Sequence, residues 1–325
     1  MKKVILLILG IVFVAIIVAV VVFVGNLKET VEGLQPDIRN VSLEWGEVND
    51  NSIEVLGTLT VYNPNSVSLP VNKITCEVEL NGIRVGSAET IDLKIAKATE
   101  FPLRISAKID TSKIPSVWAE HIRRNEKSEA SIKIKATFDL GVVEFTFPYT
   151  VKQPFETDLL SQLTSVGPVP VEKKVKVPLL GEKTIFNMTL EALSGTWGKA
   201  TPDISQINIS AVILNDNPYP LLVPKVKSEI ESNGIIVGYG ETGLLNAFGP
   251  HDTKEVKLVA SLYSSQMSAW FVRHVQQGEK SIFNIRVYIE FKVVDDILKL
   301  IGQDELSVTL WEGNQIIETD LLGNK

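Results

Sequence analysis

A stretch near residues 38 to 160 recurs near 186 to 322, displaced by about 153 positions, and this internal repeat constrains the chain more than any other feature. The match is one of pattern. Ser42, Trp45 and Gly46 correspond to Ser194, Trp197 and Gly198, and the alternating Ile53, Val55, Gly57 and Leu59 correspond to Ile207, Ile209, Ala211 and Ile213. A period of two places successive side chains on opposite faces, which is the pattern of a strand. Asn63-Pro64 returns as Asn217-Pro218, and Asn81-Gly82 with Val85-Gly86 returns as Asn233-Gly234 with Val237-Gly238. Each Asn-Gly pair lies between alternating runs and predicts a tight hairpin, because Asn and Gly tolerate the positive φ such turns need.

Each copy carries one helix. Ile114, Val117, Trp118 and Ile122 form an apolar stripe at helical spacing, repeated by Met267, Trp270, Phe271 and Val275, with Ser112 and Ser265 placed to cap the two starts. Glu-Lys-Ser follows each helix, at Glu126 to Ser128 and Glu279 to Ser281, and a further strand follows that. Many short strands, frequent turns and a single helix per copy predict an all-β chain of two tandem antiparallel β-sandwich domains, immunoglobulin- or fibronectin III-like. The expected organisation is an anchor at 1–25, a tether at 26–36, a first sandwich at 37–160, a linker or added edge strand at 161–180 and a second sandwich at 181–325.

The anchor is read from the run Val4 to Val24, which is apolar, uncharged and preceded by Lys2 and Lys3. At helical rise it spans roughly 30 Å, the apolar thickness of a bilayer, and is longer than the apolar stretch of a cleavable signal. The positive amino flank predicts a single-pass protein of the cell membrane with a cytoplasmic N-terminus and an extracytoplasmic bulk. Acceptor sequences at Asn40, Asn187 and Asn208 agree with export but occur near chance frequency.

Four candidate chemistries are weighed against structural roles. The only cysteine, Cys76, alternates with polar residues and is expected to face a core, and a lone cysteine builds neither a disulfide nor a cysteine metal cage. Gly238, Gly240 and Gly243 spell a dinucleotide-like pattern, but the first copy keeps only its first glycine and no helix is expected after Gly243. His121 and His274 hold equivalent helix positions beside the apolar stripe, where packing with one hydrogen bond is expected; His251 has no counterpart. Asp295-Asp296 and Asp304-Glu305 lack the spacing of a calcium loop. No catalytic residue, cofactor or metal is expected. A net charge of −7, with no basic run longer than a pair, speaks against nucleic acid.

Asn63-Pro64-Asn65 followed by Leu69-Pro70, and Asn81-Gly-Ile-X-Val-Gly86, resemble the late embryogenesis abundant group 2 family, whose module is also called the water stress and hypersensitive response domain. The resemblance implies a small sandwich with one helix, a link to desiccation and other stresses, and no catalytic residues. The second copy departs from it with Asn217-Pro218-Tyr219. Asn63, Pro64, Asn65, Asn217 and Pro218 are expected to shape a turn at a strand end and, as an exposed loop, to offer a partner contact. Expected partners are the membrane, through the N-terminal helix, and weakly held protein or membrane-surface clients. The functional expectation is a non-enzymatic stress-protective or binding module; the rival is a cell-envelope adhesion or assembly protein presenting loops to one partner.

Overall fold

The structure is a computed structural model that describes residues 37–63, 69–96, 99–139, 144–156, 160–161, 168–177, 181–221, 225–242, 247–292 and 305–318. The chain forms two compact units, one holding residues up to Thr157 together with Phe271–Lys280, the other Asp158–Trp270 and Ser281–Ile317.

In the first unit, β1 (Asp37–Val48), β2 (Ser52–Asn63), β3 (Leu69–Leu80), β4 (Ile83–Ile95) and β5 (Thr99–Asp110) precede helix α1 (Ile114–Arg123), and β6 (Lys127–Asp139) and β7 (Glu144–Glu156) follow it. The strands run in the order β1-β2-β5-β4-β3-β6-β7. The expected two-sheet sandwich is not what forms. One continuous sheet does, because β4 pairs with β3 along nearly its whole length and with β5 over only the four residues Gly86 to Glu89. That short ladder joins two sets of strands that a sandwich would keep apart.

The second sheet contains β8 (Val169–Val177), β9 (Gly181–Ala200), β10 (Ser205–Asn215), β11 (Lys225–Ser232), β12 (Ile235–Glu241), β13 (Thr253–Leu262), β14 (Lys280–Lys292) and β15 (Glu305–Glu318); helix α2 (Met267–Gln276) falls between β13 and β14. Its order, β15-β14-β11-β12-β13-β10-β9-β8, traces the path of the first sheet with β8 added beyond β9. The short junction recurs as well, β12 meeting β13 over Gly238 to Glu241.

Local sequence accounts for these elements. Along β11 the inward Val226, Ser228, Ile230 and Ser232 alternate with less buried residues. The hairpins turn at Asn81 (φ 51°) and Gly82 (φ 81°), and at Asn233 (φ 50°) and Gly234 (φ 76°), so both central residues of each turn have positive φ. The helix starts differ from expectation. A 3₁₀ turn, Thr111–Lys113, precedes α1, and its cap is Asp110, whose carboxylate accepts from the Ser112 amide at 3.0 Å and from its hydroxyl at 2.5 Å. Ser112 therefore donates where it was expected to cap, and Ser265 uses its amide on the Asp203 carbonyl.

In the first unit Ile53, Val55, Val78, Leu80, Val85 and Ile109 are buried, as are Val117, Trp118 and Ile122 on α1. Each such side chain contributes about 1.5–3 kcal/mol by leaving water. The second unit has a core of Phe186, Met188, Ala211, Ile213, Val226, Phe248, Val256, Ile289 and Val308.

The expected anchor and tether, residues 1–36, lie outside the described residues. Among the described residues no helix is long and apolar enough to cross a membrane. Helices α1 and α2 have 10 residues each, and at 1.5 Å per residue such a helix rises about 15 Å, half the apolar thickness of a bilayer. The expected single-pass placement, with an extracytoplasmic bulk, is corrected accordingly.

Candidate functional site

The Asn-Pro loop after β10 is built on two buried amides. Asn215 closes the strand, and its Nδ2 donates to three backbone carbonyls: Tyr219 at 3.1 Å, Phe248 at 3.3 Å and Gly249 at 2.7 Å. Its Oδ1 accepts from the Asn217 amide at 3.1 Å and from Asn217 Nδ2 at 2.7 Å. The same Nδ2 reaches the Asn187 carbonyl at 2.8 Å. Both asparagines are buried, while Pro218, Tyr219 and Pro220 are exposed. The Tyr219 hydroxyl donates to the Thr184 carbonyl at 3.3 Å, and partial burial raises its pKa. Asn217 thus spends its side chain inside the fold, and the outward chemistry of the loop is two prolines around an aromatic ring.

Asn215 and Tyr219 were missed in the sequence, although an asparagine two residues before another is a signal for an Asx turn. In the first unit Asn63 ends β2 opposite Thr99. Pro64 and Asn65 lie outside the described residues.

A second polar cluster surrounds His121. Its Nδ1 lies 2.8 Å from Ser128 Oγ, which also accepts from Asn81 Nδ2 at 2.8 Å. Asn81 Oδ1 accepts from the Glu129 amide at 3.0 Å, and the Asn81 amide donates to the Glu129 carbonyl at 2.9 Å. The His121 carbonyl caps the helix end by accepting from the Glu126 amide at 2.9 Å, where Glu126 has φ 62°. Burial lowers the His121 pKa to about 4, against the smaller opposing pull of Glu126. A serine beside an imidazole has the makings of a nucleophile and base. Here both are buried, and the serine is committed to the hairpin amide, so the trio ties α1, β6 and the β3–β4 turn together.

The second sheet's hairpin and helix α2 each repeat part of this. Ser281 Oγ accepts from Asn233 Nδ2 and from Trp270 Nε1, each at 3.1 Å. Asn233 Oδ1 accepts from the Ile282 amide at 3.0 Å. His274 is fully buried, and its carbonyl accepts from the Glu279 amide at 2.9 Å. His251 sits elsewhere, in an exposed turn at φ 53°.

The glycine pattern has a packing cause. A Cβ on Gly238 would stand 2.9 Å from Leu262 Cδ2, and one on Gly240 would stand 2.4 Å from Ser228 Oγ. Gly243 lies outside the described residues. Cys76 faces the core of the first unit, and burial pushes its thiol up to about 12. Among the described residues no group of three His, Cys, Asp or Glu could hold a metal ion. Of the acidic pairs, Asp295, Asp296 and Asp304 lie outside the described residues. A shallow groove of about 470 Å³ crosses β9, β10 and β13, lined by Ser194, Thr196, Asn208, Ser210, Lys257 and Val259 among others.

What the described geometry presents outward is a set of turns and loops locked by buried amides onto β-sheet scaffolds. The model of the family Late embryogenesis abundant protein matches residues 58–153, from within β2 into β7. No curated protein matches the chain. A crystal structure of a protein from Archaeoglobus fulgidus is 25% identical, covering 38% of this chain and 100% of that one, with a TM-score of 0.34. The solution structure of AT1g01470 from Arabidopsis thaliana is 28% identical, covering 37% of this chain and 80% of that one, with a TM-score of 0.28.

Proposed function

We propose that this protein is a non-enzymatic, stress-related protective module of the water stress and hypersensitive response type, built from tandem copies and acting on partly unfolded proteins by weak contact. The observation that carries the reading is the loop at Asn217. Two buried amides hold it rigid, so Pro218, Tyr219 and Pro220 meet a partner at little entropic cost. The family match over residues 58–153 supports the link to stress, and the two sheet orders, alike apart from β8, support duplication. Asn63-Pro64-Asn65 is proposed to shape the corresponding loop of the first unit. Two weak sites on one chain raise each other's effective concentration, which suits many clients better than one.

The test is protection of a labile enzyme through drying and rehydration, with the full chain present at increasing molar ratio. Recovery of activity that rises with the ratio, and exceeds that given by equal mass of an unrelated β-protein, is expected. Recovery no better than that control ends this reading. The rigidity of the loop also favours a second reading, an assembly protein with one specific partner; stoichiometric recovery of a single protein in a pull-down, lost on Tyr219→Ala, would select it.

A further inference from the structure

We propose that copies of this chain associate edge to edge, β15 of one copy pairing with β8 of the next. The two strands end the second sheet, and among the described residues no strand pairs with the outer side of either. An uncovered edge presents unpaired N–H and C=O groups and accepts another strand unless something blocks it. The first sheet carries such a block. Its end strand β7 sets Pro148 opposite Lys135 and Pro154 opposite Glu129, and both prolines are exposed. Separated by an even number of positions, they share one phase of the ladder, and a residue without an N–H fits the phase that points away from β6.

β15 holds the place of β7 without the block. Glu129 and Ile282 each give an amide to a hairpin asparagine at 3.0 Å, which aligns β6 with β14. Four positions further along, Lys133 stands opposite Thr150, and Arg286 pairs with Glu312 at 3.3 Å. Ile316 follows Glu312 by four positions as Pro154 follows Thr150, so Ile316 takes the place of Pro154. None of the 14 residues of β15 is a proline, and no N–H is missing from its outer side.

Charge selects the occupant. β15 carries Glu305, Glu312 and Glu318 and no basic residue, while β8 carries Lys173, Lys174 and Lys176 against a single acid, Glu172. Two β15 edges brought together would set acid against acid, and two β8 edges base against base, and like charges across a strand pair are destabilising. A β15 beside a β8 sets unlike charges together. Lys173, Lys174 and Glu312 are exposed, and Glu172 is engaged within its own chain, accepting from Thr184 Oγ1 at 2.7 Å and pairing with Lys174 at 3.2 Å. The 9 residues of β8 give a ladder roughly 30 Å long at about 3.3 Å per residue. Each copy offers one edge of each kind, so the contact is head to tail.

The test is sedimentation velocity of the full chain from about 10 µM to 1 mM, the range of weak affinities. The wild type is expected to associate as concentration rises, and less so when salt is raised. Ile316→Pro, which reproduces Pro154 on the second sheet, should weaken association about fivefold, and so should Lys173→Glu with Lys174→Glu on β8. Both variants are expected to keep the wild-type melting temperature; should Ile316→Pro melt early, the lysine variant decides alone. A chain that stays monomeric throughout overturns the proposal. So does association that neither variant weakens, the outcome if the apolar run Val4 to Val24 brought copies together. Loss in Ile316→Pro with none in the lysine variant also overturns it, because β15 would then be meeting something other than β8. The protective reading is tested by enzyme recovery and stands or falls separately from this one.

Discussion

The Ser128 hydroxyl and Nδ1 of His121 lie 2.8 Å apart, in surroundings that leave the histidine no exposure to solvent. The serine also receives the Asn81 amide at 2.8 Å, so one hydroxyl serves both helix and hairpin. Ser128→Ala removes the hydroxyl shared by His121 and Asn81, and is expected to cost about 2–3 kcal/mol. Ser281→Ala, which removes one hydrogen-bond partner from Asn233 and one from Trp270, should cost a similar amount. Urea unfolding midpoints at constant slope measure both, and a change below about 0.5 kcal/mol in either would contradict the tie.

Acid should loosen the first unit through His121. Its folded pKa, about 4, lies below its ordinary 6.5, so the unfolded chain takes up the proton first. The stability contributed by neutral His121 is therefore fully present above pH 6.5, falls as the pH drops from 6.5 towards 4, and is gone below that. A shift of this size corresponds to as much as about 3 kcal/mol. Unfolding free energies at pH 7, 5.5 and 4 should show the fall in wild type and a shallower one in His121→Gln.

Trp118 is buried on α1 with its indole N–H unpartnered, while the corresponding place on α2 holds Phe271. Trp118→Phe removes the unsatisfied donor along with some volume, and these effects oppose each other. The net change is expected to stay within about 1 kcal/mol. Trp270→Phe loses a bond to Ser281 as well as volume and should cost about 2 kcal/mol, so the order of the two melting temperatures is diagnostic.

Two neighbouring glycines should respond for different reasons. A Cβ on Gly86 would stand 2.7 Å from the Lys108 carbonyl, backbone that has no room to yield at the short β4–β5 ladder, so Gly86→Ala is expected to cost at least 2–3 kcal/mol. Gly82 has open space but φ 81°, and Gly82→Ala should cost about 1 kcal/mol. Equal losses at the two positions would refute the distinction.

Asn217→Ala strips a buried amide from the loop pedestal and should lower stability by about 2 kcal/mol. Tyr219→Ala, at an exposed tip, should change it by no more than about 0.5 kcal/mol. Thermal unfolding of the pair separates the residue that holds the loop from the one at its exposed tip.

Strands, hairpins and helices were legible along the chain because each depends on residues close in sequence. Alternation in Ile207–Ile213, the Asn81-Gly82 and Asn233-Gly234 turns and the helical stripe of Ile114–Ile122 all report local backbone preference. The cap of α1 was misread for the same reason. Ser112 is a good capping residue in isolation, yet Asp110 reaches its amide first and a 3₁₀ turn intervenes.

Period and turn chemistry, being properties of neighbouring residues, determined from sequence that this chain is β-rich. Whether the strands close as separate layers or as one sheet depended on a four-residue ladder between β4 and β5, a pairing of distant segments that no local pattern encodes. The same holds for the buried use of Asn217. Which side chains a fold hides or gathers is decided by register across strands, and register between distant strands is set only once the whole sheet has formed.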